Sequence, residues 1–407
     1  MAGAVEAGRS ERSVRAISAD RLARPRPVYC VWELTLSCDL ACRHCGSRAG
    51  KARPDELTTA ECLDVVGQLA EVGVQDVALI GGEAYLREDW VDIARAIVVA
   101  KMTCRMVTGA RNLDARRVAL AEDAGLANIS VSIDGAMGTM ATHDAQRGRG
   151  SFEAATQAME RIGRSRVRLA ANTQINRRSL PELEAIAALV VGLGARAWQV
   201  QLTVPMGRAA DRAGELVLEP YQLLDLFPRL AALQRDVLRP AGVQLAPANN
   251  IGYFGPFESE IRLGGQSGVH WKGCPAGAYA LGIEADGSLK GCPSLPSASY
   301  VGGNLRQQRL AELLENEPLL RLASRTVDDL WGFCRTCYYA DVCRGGCSWT
   351  AHTTLGRPGN NPFCHHRALE LAGQGLRERL VVVERAPGVP FDHGRLELIV
   401  EPIPHAG

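Results

Sequence analysis

Lysine is almost missing from this chain: Lys51, Lys101, Lys272 and Lys290 are the only four, against a large stock of arginine. That bias reflects coding composition and says nothing about mechanism. A strong net charge is missing too, at +1 near neutral pH, and so is any basic block beyond the first 27 residues. Without such a patch there is no electrostatic footprint for nucleic acid, and large polyanions are not expected as partners. No apolar run approaches the length of a membrane span, and the start lacks the charged-then-apolar order of a secretory signal. The expectation is a cytoplasmic protein with no membrane partner. Cysteine is the opposite case. Thirteen of them stand mostly at motif spacings, and in a reducing compartment that argues for metal thiolates rather than disulfides.

At 407 residues, 46% of them hydrophobic, the chain has room for roughly two to three domains with proper cores. Residues 1–27 carry Arg9, Arg12, Arg15, Arg21, Arg24 and Arg26 and end on Pro25 and Pro27, which reads as a flexible tail. From 28 to 204, short apolar runs alternate with amphipathic helices, the pattern of a parallel α/β sheet. Strands are expected at Val31–Leu36, Asp76–Ile80, Cys104–Val107, Asn128–Ile133, Val167–Gln174 and Trp198–Leu202. The first helix begins at a Thr58/Thr59 cap, turns Cys62, Val65, Val66 and Leu69 to one side and stops at Gly73. Residues 205–270 form a connecting region with one helix, Pro220–Val237, and a turn-rich loop over 247–256. Residues 271–370 are rich in cysteine and turns, marking a domain organised by metal rather than by a large core. Residues 371–407 form a C-terminal tail, the last 40 residues reading as a helix followed by a hairpin-like stretch. Periodicity does not separate a partial barrel from a doubly wound sheet, but in either architecture reactive groups gather at the carboxyl ends of the strands.

Directly after the first strand, Cys38-Asp39-Leu40-Ala41-Cys42-Arg43-His44-Cys45 sets three thiols at CxxxCxxC spacing. Four thiolates complete a [4Fe–4S] cube, so a loop offering three leaves one iron open. A zinc site or three unrelated buried cysteines are the alternatives. Gly81-Gly82-Glu83 follows the second strand, where glycine lets a backbone approach a ligand and a carboxylate can accept from an ammonium group. Ser132 and Asp134 close the fourth strand, and Asn172, Gln174, Gln199 and Gln201 end the fifth and sixth with period-two spacing. Downstream stand Cys274 and Cys292, then Cys334-x2-Cys337-x5-Cys343-x3-Cys347, and finally Cys364.

Over residues 30–370 these motifs together resemble the radical S-adenosylmethionine (radical SAM) enzymes that carry a C-terminal SPASM domain. The resemblance implies a partial (β/α)6 barrel followed by a small cysteine-rich SPASM domain. Cys38, Cys42 and Cys45 would hold a cluster whose open iron chelates SAM, and reductive cleavage of SAM would yield a 5′-deoxyadenosyl radical that abstracts hydrogen from an unreactive carbon. Gly81, Gly82 and Glu83 would hold the SAM amino group, His44 would lie against adenine, and Arg147 would meet the SAM carboxylate. Ser132, Asp134, Asn172 and Gln199 would supply further SAM or substrate contacts. The chain departs from the family by placing Ala84-Tyr85 where proline is usual, which puts Tyr85 near the site. Cys274, Cys292 and Cys347 would bind one auxiliary cluster and Cys334, Cys337, Cys343 and Cys364 another, giving three [4Fe–4S] clusters in all. No eighth cysteine lies between Pro275 and Gly291, so the first auxiliary cluster has three evident thiolates. Its fourth position would stay open, take a non-cysteine ligand, or recruit one of Cys30, Cys62 and Cys104. Cys62 on a helix face and Cys104 at a strand start read as inert core residues, and Cys30, leading into the first strand, is the better candidate for reactivity although a core role is favoured for it too.

Relatives of this kind mostly modify peptides. The expected function is a maturase that crosslinks, epimerises, decarboxylates or oxidises a residue of a ribosomal precursor peptide. A separate peptide-recognition protein and a flavodoxin or ferredoxin reductant are the expected partners, since 27 residues are too few for a recognition domain. The segments Pro205–Arg208 and Asn249–Pro256 look like those of peptide-maturase relatives. The alternatives are side-chain chemistry on a tetrapyrrole, as in haem or haem d1 synthesis, and formylglycine formation of the anaerobic sulfatase-maturase kind. A zinc scaffold or electron carrier would need no Gly-Gly-Glu behind a three-cysteine loop.

Overall fold

A computed structural model describes residues 26–136, 142–263, 271, 273–316, 320 and 322–404; the expected N-terminal tail, apart from its last two residues, lies outside them. Seven strands, β1 (Tyr29–Thr35), β2 (Asp76–Gly81), β3 (Thr103–Thr108), β4 (Asn128–Ser132), β5 (Arg168–Ile175), β6 (Ala197–Leu202) and β7 (Gln244–Pro247), are parallel and hydrogen-bonded in chain order. The helices between them include α1 (Thr59–Glu71), α2 (Trp90–Val99), α3 (Ala115–Asp123), the one-turn α4 (His143–Arg147), α5 (Ser151–Gly163), α6 (Leu183–Gly192) and α7 (Leu223–Leu233). Their ends follow local chemistry. Thr58 and Glu61 form a reciprocal capping box on α1, Asp114 caps α3, and Gly73 leaves α1 with φ +84°.

Strand order decides between the two architectures left open by periodicity. A doubly wound sheet reverses its order at a switch point, and β1 to β7 never reverse. Right-handed crossovers taken always in one direction put all the helices on one side. The result is a partial barrel with helices outside. Alternation along each strand then sorts the side chains. Trp32, Leu79, Met106, Ile129, Val131 and Trp198 face the helices and are fully buried. The opposite face carries Ser132, Asn172 and Gln199 in register across β4, β5 and β6, with Gln174 beside Gln201.

The sheet extends beyond the six expected strands. β7 comes from the segment read as a connection, and on the other edge β8 (Ala280–Ile283) pairs parallel with β1, followed by the antiparallel β9 (Leu289–Lys290). Four residues or fewer, with Pro247 inside β7 and Gly282 inside β8, are too short to show an alternation. β8 seats the cysteine-rich region against the very strand that leads into the first cysteine loop. Beyond α8 (Ser348–Leu355) and α9 (His365–Gly373), the chain ends in the expected hairpin, β10 (Leu376–Glu384) and β11 (Arg395–Pro402). The hairpin is tied back by Arg367, which is buried and donates to both oxygens of Glu378 at 2.6 and 2.5 Å. Among the described residues no helix is long and apolar enough to cross a membrane.

A buried charge cluster joins β1 to β8. Glu33 accepts from Arg53 at 3.1 Å, Arg53 also meets Glu284 at 3.0 Å, and fully buried Lys290 meets Glu284 at 2.5 Å beneath the Phe391 ring. Burial, offset in part by Arg53, raises the Glu33 carboxyl to about 7. The folded state therefore keeps a proton that the unfolded chain releases near 4.5, so this group's stabilisation is full at low pH and is lost as pH rises to 7. Glu33→Gln, which cannot ionise, is expected to flatten the fall in stability between pH 4.5 and 7, read as urea midpoints at the two ends. An unchanged slope would contradict the assignment.

Candidate active site

The first cysteine loop is built from backbone contacts. Cys38 N–H donates to Gly50 at 3.1 Å and Gly50 N–H to Leu36 at 2.9 Å, closing the loop on the end of β1. A clamp from beyond β6 holds its far side. Arg208 donates to the carbonyls of Cys42 (2.8 Å) and Ala49 (3.0 Å) and its own N–H to Cys45 (2.9 Å). Gly207 at φ +58° lies so close that a Cβ there would sit 2.3 Å from the Gly46 carbonyl oxygen. Arg48, also on the loop, bridges Asp211 (2.7 Å) and Asp392 (2.8 Å). The Pro205–Arg208 segment thus has a local physical role, and Arg208, Arg48, Asp211 and Asp392 escape sequence reading because their partners lie far along the chain.

Gly81 and Gly82 serve a close approach. A Cβ on either would stand 2.1 Å from a carbonyl oxygen, Thr35 for Gly81 and Ser37 for Gly82. Only glycine lets the end of β2 lie against the cysteine loop. This delivers Glu83 beside Cys38 and Asp39, the three ligand atoms lying within 4.8 Å of one another. Glu83 accepts from the Thr108 hydroxyl and from Gly109 N–H at 2.6 Å, and burial raises its carboxyl to about 8. Asp39 accepts from the Tyr85 hydroxyl at 2.9 Å and Asn112 at 2.8 Å, while its other oxygen is buried with no partner. Buried Glu83, which a neighbouring cation would ionise, and half-buried Asp39 with its unsatisfied oxygen together fit a cationic ligand, which SAM is. Tyr85 is itself buried, and its hydroxyl orients Asp39.

His44, Asp134 and Arg147 form one network behind Cys42. Asp134, with no exposed surface, accepts from Arg147 at 2.6 Å and from Gln174 N–H at 2.8 Å, and lies 3.3 Å from His44. Burial opposes the ionised form, yet the Arg147 guanidinium holds the Asp134 carboxyl below its usual range. Arg147 in turn points a guanidinium nitrogen at Cys42 Sγ, 3.9 Å away. Burial drops His44 to about 4, so its ring is neutral, and its Nδ1 is buried without a partner. Both Asp134 oxygens are engaged within the protein, so its direct task is to hold Arg147 and His44. Ser132 and Asn172 stay on the open strand ends, with Asn172 Oδ1 unpartnered, and Gln199 lies beside them.

The thiols fit iron. Burial, then the Glu83 carboxylate, pushes Cys38 up to about 12, and burial pushes Cys42 up to about 11. Three thiolates gather there only around a cation that ionises them. The remaining cysteines sort into the two groups expected from position. Cys347 neighbours Cys274 and Cys292 electrostatically, whereas Cys343 and Cys364 neighbour Cys334 and Cys337. Cys30, Cys62 and Cys104 join neither group: all three are buried in the barrel's main apolar core. The core reading of these three thiols agrees with this placement, and Cys30, on β1, faces the apolar layer.

Comparison with known proteins follows the same division. Residues 32–175 match the radical SAM superfamily, and residues 274–338 match the SPASM iron–sulfur cluster-binding domain. The chain is 30% identical to the AdoMet-dependent heme synthase of Methanosarcina barkeri, over 84% of this chain and 97% of that one. It is 29% identical to the mycofactocin maturase MftC of Mycobacterium ulcerans, over 91% and 94%. Its fold is similar to that of Streptococcus suis SuiB bound to the precursor peptide SuiA, with TM-score 0.63 and 15% identity over 84% and 76% of the chains. SAM and iron–sulfur clusters are its cofactors. This protein belongs to the radical SAM superfamily, as an enzyme with a C-terminal SPASM domain.

Proposed function

We propose that this enzyme is a maturase that modifies a residue of a ribosomally made precursor peptide by hydrogen abstraction. When bound, SAM and the first cluster supply the means to take hydrogen from an unactivated carbon, and the chain's own residues do the holding. Glu83 and Asp39 offer acceptors to the positive end of SAM, Arg147 presents a cation behind Cys42, and the neutral His44 ring packs within that network. Three [4Fe–4S] clusters are proposed, the first on Cys38, Cys42 and Cys45 and two on the groups of three and four cysteines.

The observation that carries the substrate class is the inner face of β5 and β6. Asn172, Gln174, Gln199 and Gln201 stand there in paired register. Neutral amides donate and accept together, which suits peptide groups. The maturase relative supports this reading. The heme synthase relative supports a second one, tetrapyrrole side-chain chemistry, whose carboxylates would call for cations on that face instead. A flavodoxin or ferredoxin reductant and a separate peptide-recognition protein complete the proposal, in the cytoplasm. The test is anaerobic turnover with SAM, dithionite and each short peptide encoded beside the gene, run in parallel with coproporphyrin-type tetrapyrroles. The expected result is a mass change in one peptide, matched by 5′-deoxyadenosine. Decarboxylation of the tetrapyrrole with every peptide unchanged would overturn it.

A further inference from the structure

The two auxiliary cysteine groups share a small core separate from that of the barrel. Tyr253, Phe254 and Trp271 form it, with Cys347 of one group and Cys343 and Cys364 of the other. At its centre the backbone takes a conformation that side chains avoid: Gly252, Tyr253 and Phe254 have φ values of +119°, +76° and +48°. For two aromatic residues in succession this is strained, and it persists only where the surroundings impose it. Here they do. The N–H groups of His365 and His366, opening α9, donate to the carbonyls of Gly252 and Tyr253 at 3.3 Å each. Arg262, held by Glu258 at 2.5 Å, donates to the Ile251 carbonyl, and the Tyr253 hydroxyl donates to the carbonyl of Asn249.

The consequence is that Tyr253 touches both groups. Its phenol oxygen accepts the N–H of Cys347 at 3.2 Å. Its ring walls the pocket enclosed by Cys334, Cys337, Cys343 and Cys364, and its carbonyl lies 3.6 Å from Cys364 Sγ. Phe254 closes the same pocket by stacking on Tyr339, with centroids 4.1 Å apart and planes 8° from parallel. The Asn249–Pro256 loop is the stretch of chain that delivers this pair.

We propose that Tyr253 is a positioning residue shared by the two auxiliary cluster sites, its hydroxyl tuning the three-cysteine site and its ring enclosing the four-cysteine site. The inference rests on reading both groups as cluster sites. Hydrogen bonds to the sulfurs are one of the levers that set a cluster's reduction potential. The phenol oxygen keeps the Cys347 N–H away from those sulfurs. Tyr253→Phe keeps the ring and releases the N–H to them, which raises the potential of the three-cysteine cluster alone.

The experiment is an EPR-monitored redox titration of the full-length, anaerobically reconstituted wild type, Tyr253→Phe and Tyr253→Leu, with iron counted per chain. The three-cysteine signal is identified by its loss in Cys347→Ser. Tyr253→Phe is expected to hold wild-type iron, shift the three-cysteine potential upward and leave the four-cysteine potential in place. Tyr253→Leu is expected, in addition, to lose iron from the four-cysteine cluster faster on exposure to a chelator. A Tyr253→Phe protein whose three-cysteine potential does not move, or in which only the four-cysteine potential moves, overturns this assignment while leaving the cluster reading intact. A wild type that takes up iron on the first loop alone overturns both. If Tyr253→Leu does not fold, Tyr253→Phe decides.

Discussion

Replacing Cys38, Cys42 and Cys45 together with alanine is expected to reduce 5′-deoxyadenosine formation to background while the second domain keeps its iron. The expectation follows from separation of roles within the loop. Its shape is held chiefly by main-chain bonds and by the Arg208 clamp, which use no thiol, with only the long contacts of Cys38 Sγ to Leu40 N–H (3.4 Å) and Cys45 Sγ to Ser47 (3.5 Å) lost. The variant should therefore fold. The nearest other donors are the carboxylates of Asp39 and Glu83, and hard oxygen ligands do not replace thiolates around iron–sulfur clusters. Both auxiliary groups draw on cysteines from 274 onward, so their content is independent of the first loop. Cleavage of SAM under dithionite, followed by chromatography, reads the outcome, and product formation at wild-type rate would contradict the assignment of the SAM site.

The second large effect is expected at Asp134. This carboxylate is wholly buried and holds Arg147, His44 and the Gln174 N–H at once. Removing one partner of a buried pair leaves the other charge uncompensated, a cost of about 3–5 kcal/mol. Asp134→Ala should lower stability by that amount and abolish SAM binding, because Arg147 and His44 lose the group that fixes them behind Cys42. Asp134→Asn retains an acceptor for Gln174 N–H but not the charge, and should fall between the two. Urea unfolding and equilibrium dialysis of SAM measure both effects. A loss below about 1 kcal/mol with SAM binding intact would show that the network is not needed.

The parts of this site that sequence makes legible are those whose chemistry is set by short spacing. CxxxCxxC and Gly-Gly-Glu are legible within a few residues and the downstream series by its count of cysteines, with Cys347 lying electrostatically beside Cys274 and Cys292, and Cys343 and Cys364 beside Cys334 and Cys337. Strand ends were legible for the same reason, since the polar residues at the close of β4, β5 and β6 break an apolar alternation. The remainder depends on contacts between distant residues. Arg48 meets Asp392 from 344 residues away, and nothing local marks either one. β7 and β8 are too short to carry a period of their own. Tyr85 could be placed near the site but not oriented; its hydroxyl turns to Asp39, a residue that motif reading passes over as a spacer. The positive φ values at Tyr253 and Phe254 have no sequence signal at all, because bulky residues are the last to be expected there.

Iron, sulfide and zinc per chain, measured on protein purified and reconstituted without oxygen, decide whether the enzyme carries three iron–sulfur clusters. About twelve irons with matching sulfide and no zinc is the predicted result, three cubes of four on the three cysteine groups. About four irons accompanied by zinc would contradict it, confining the radical chemistry to the first loop and making the second domain a structural zinc module.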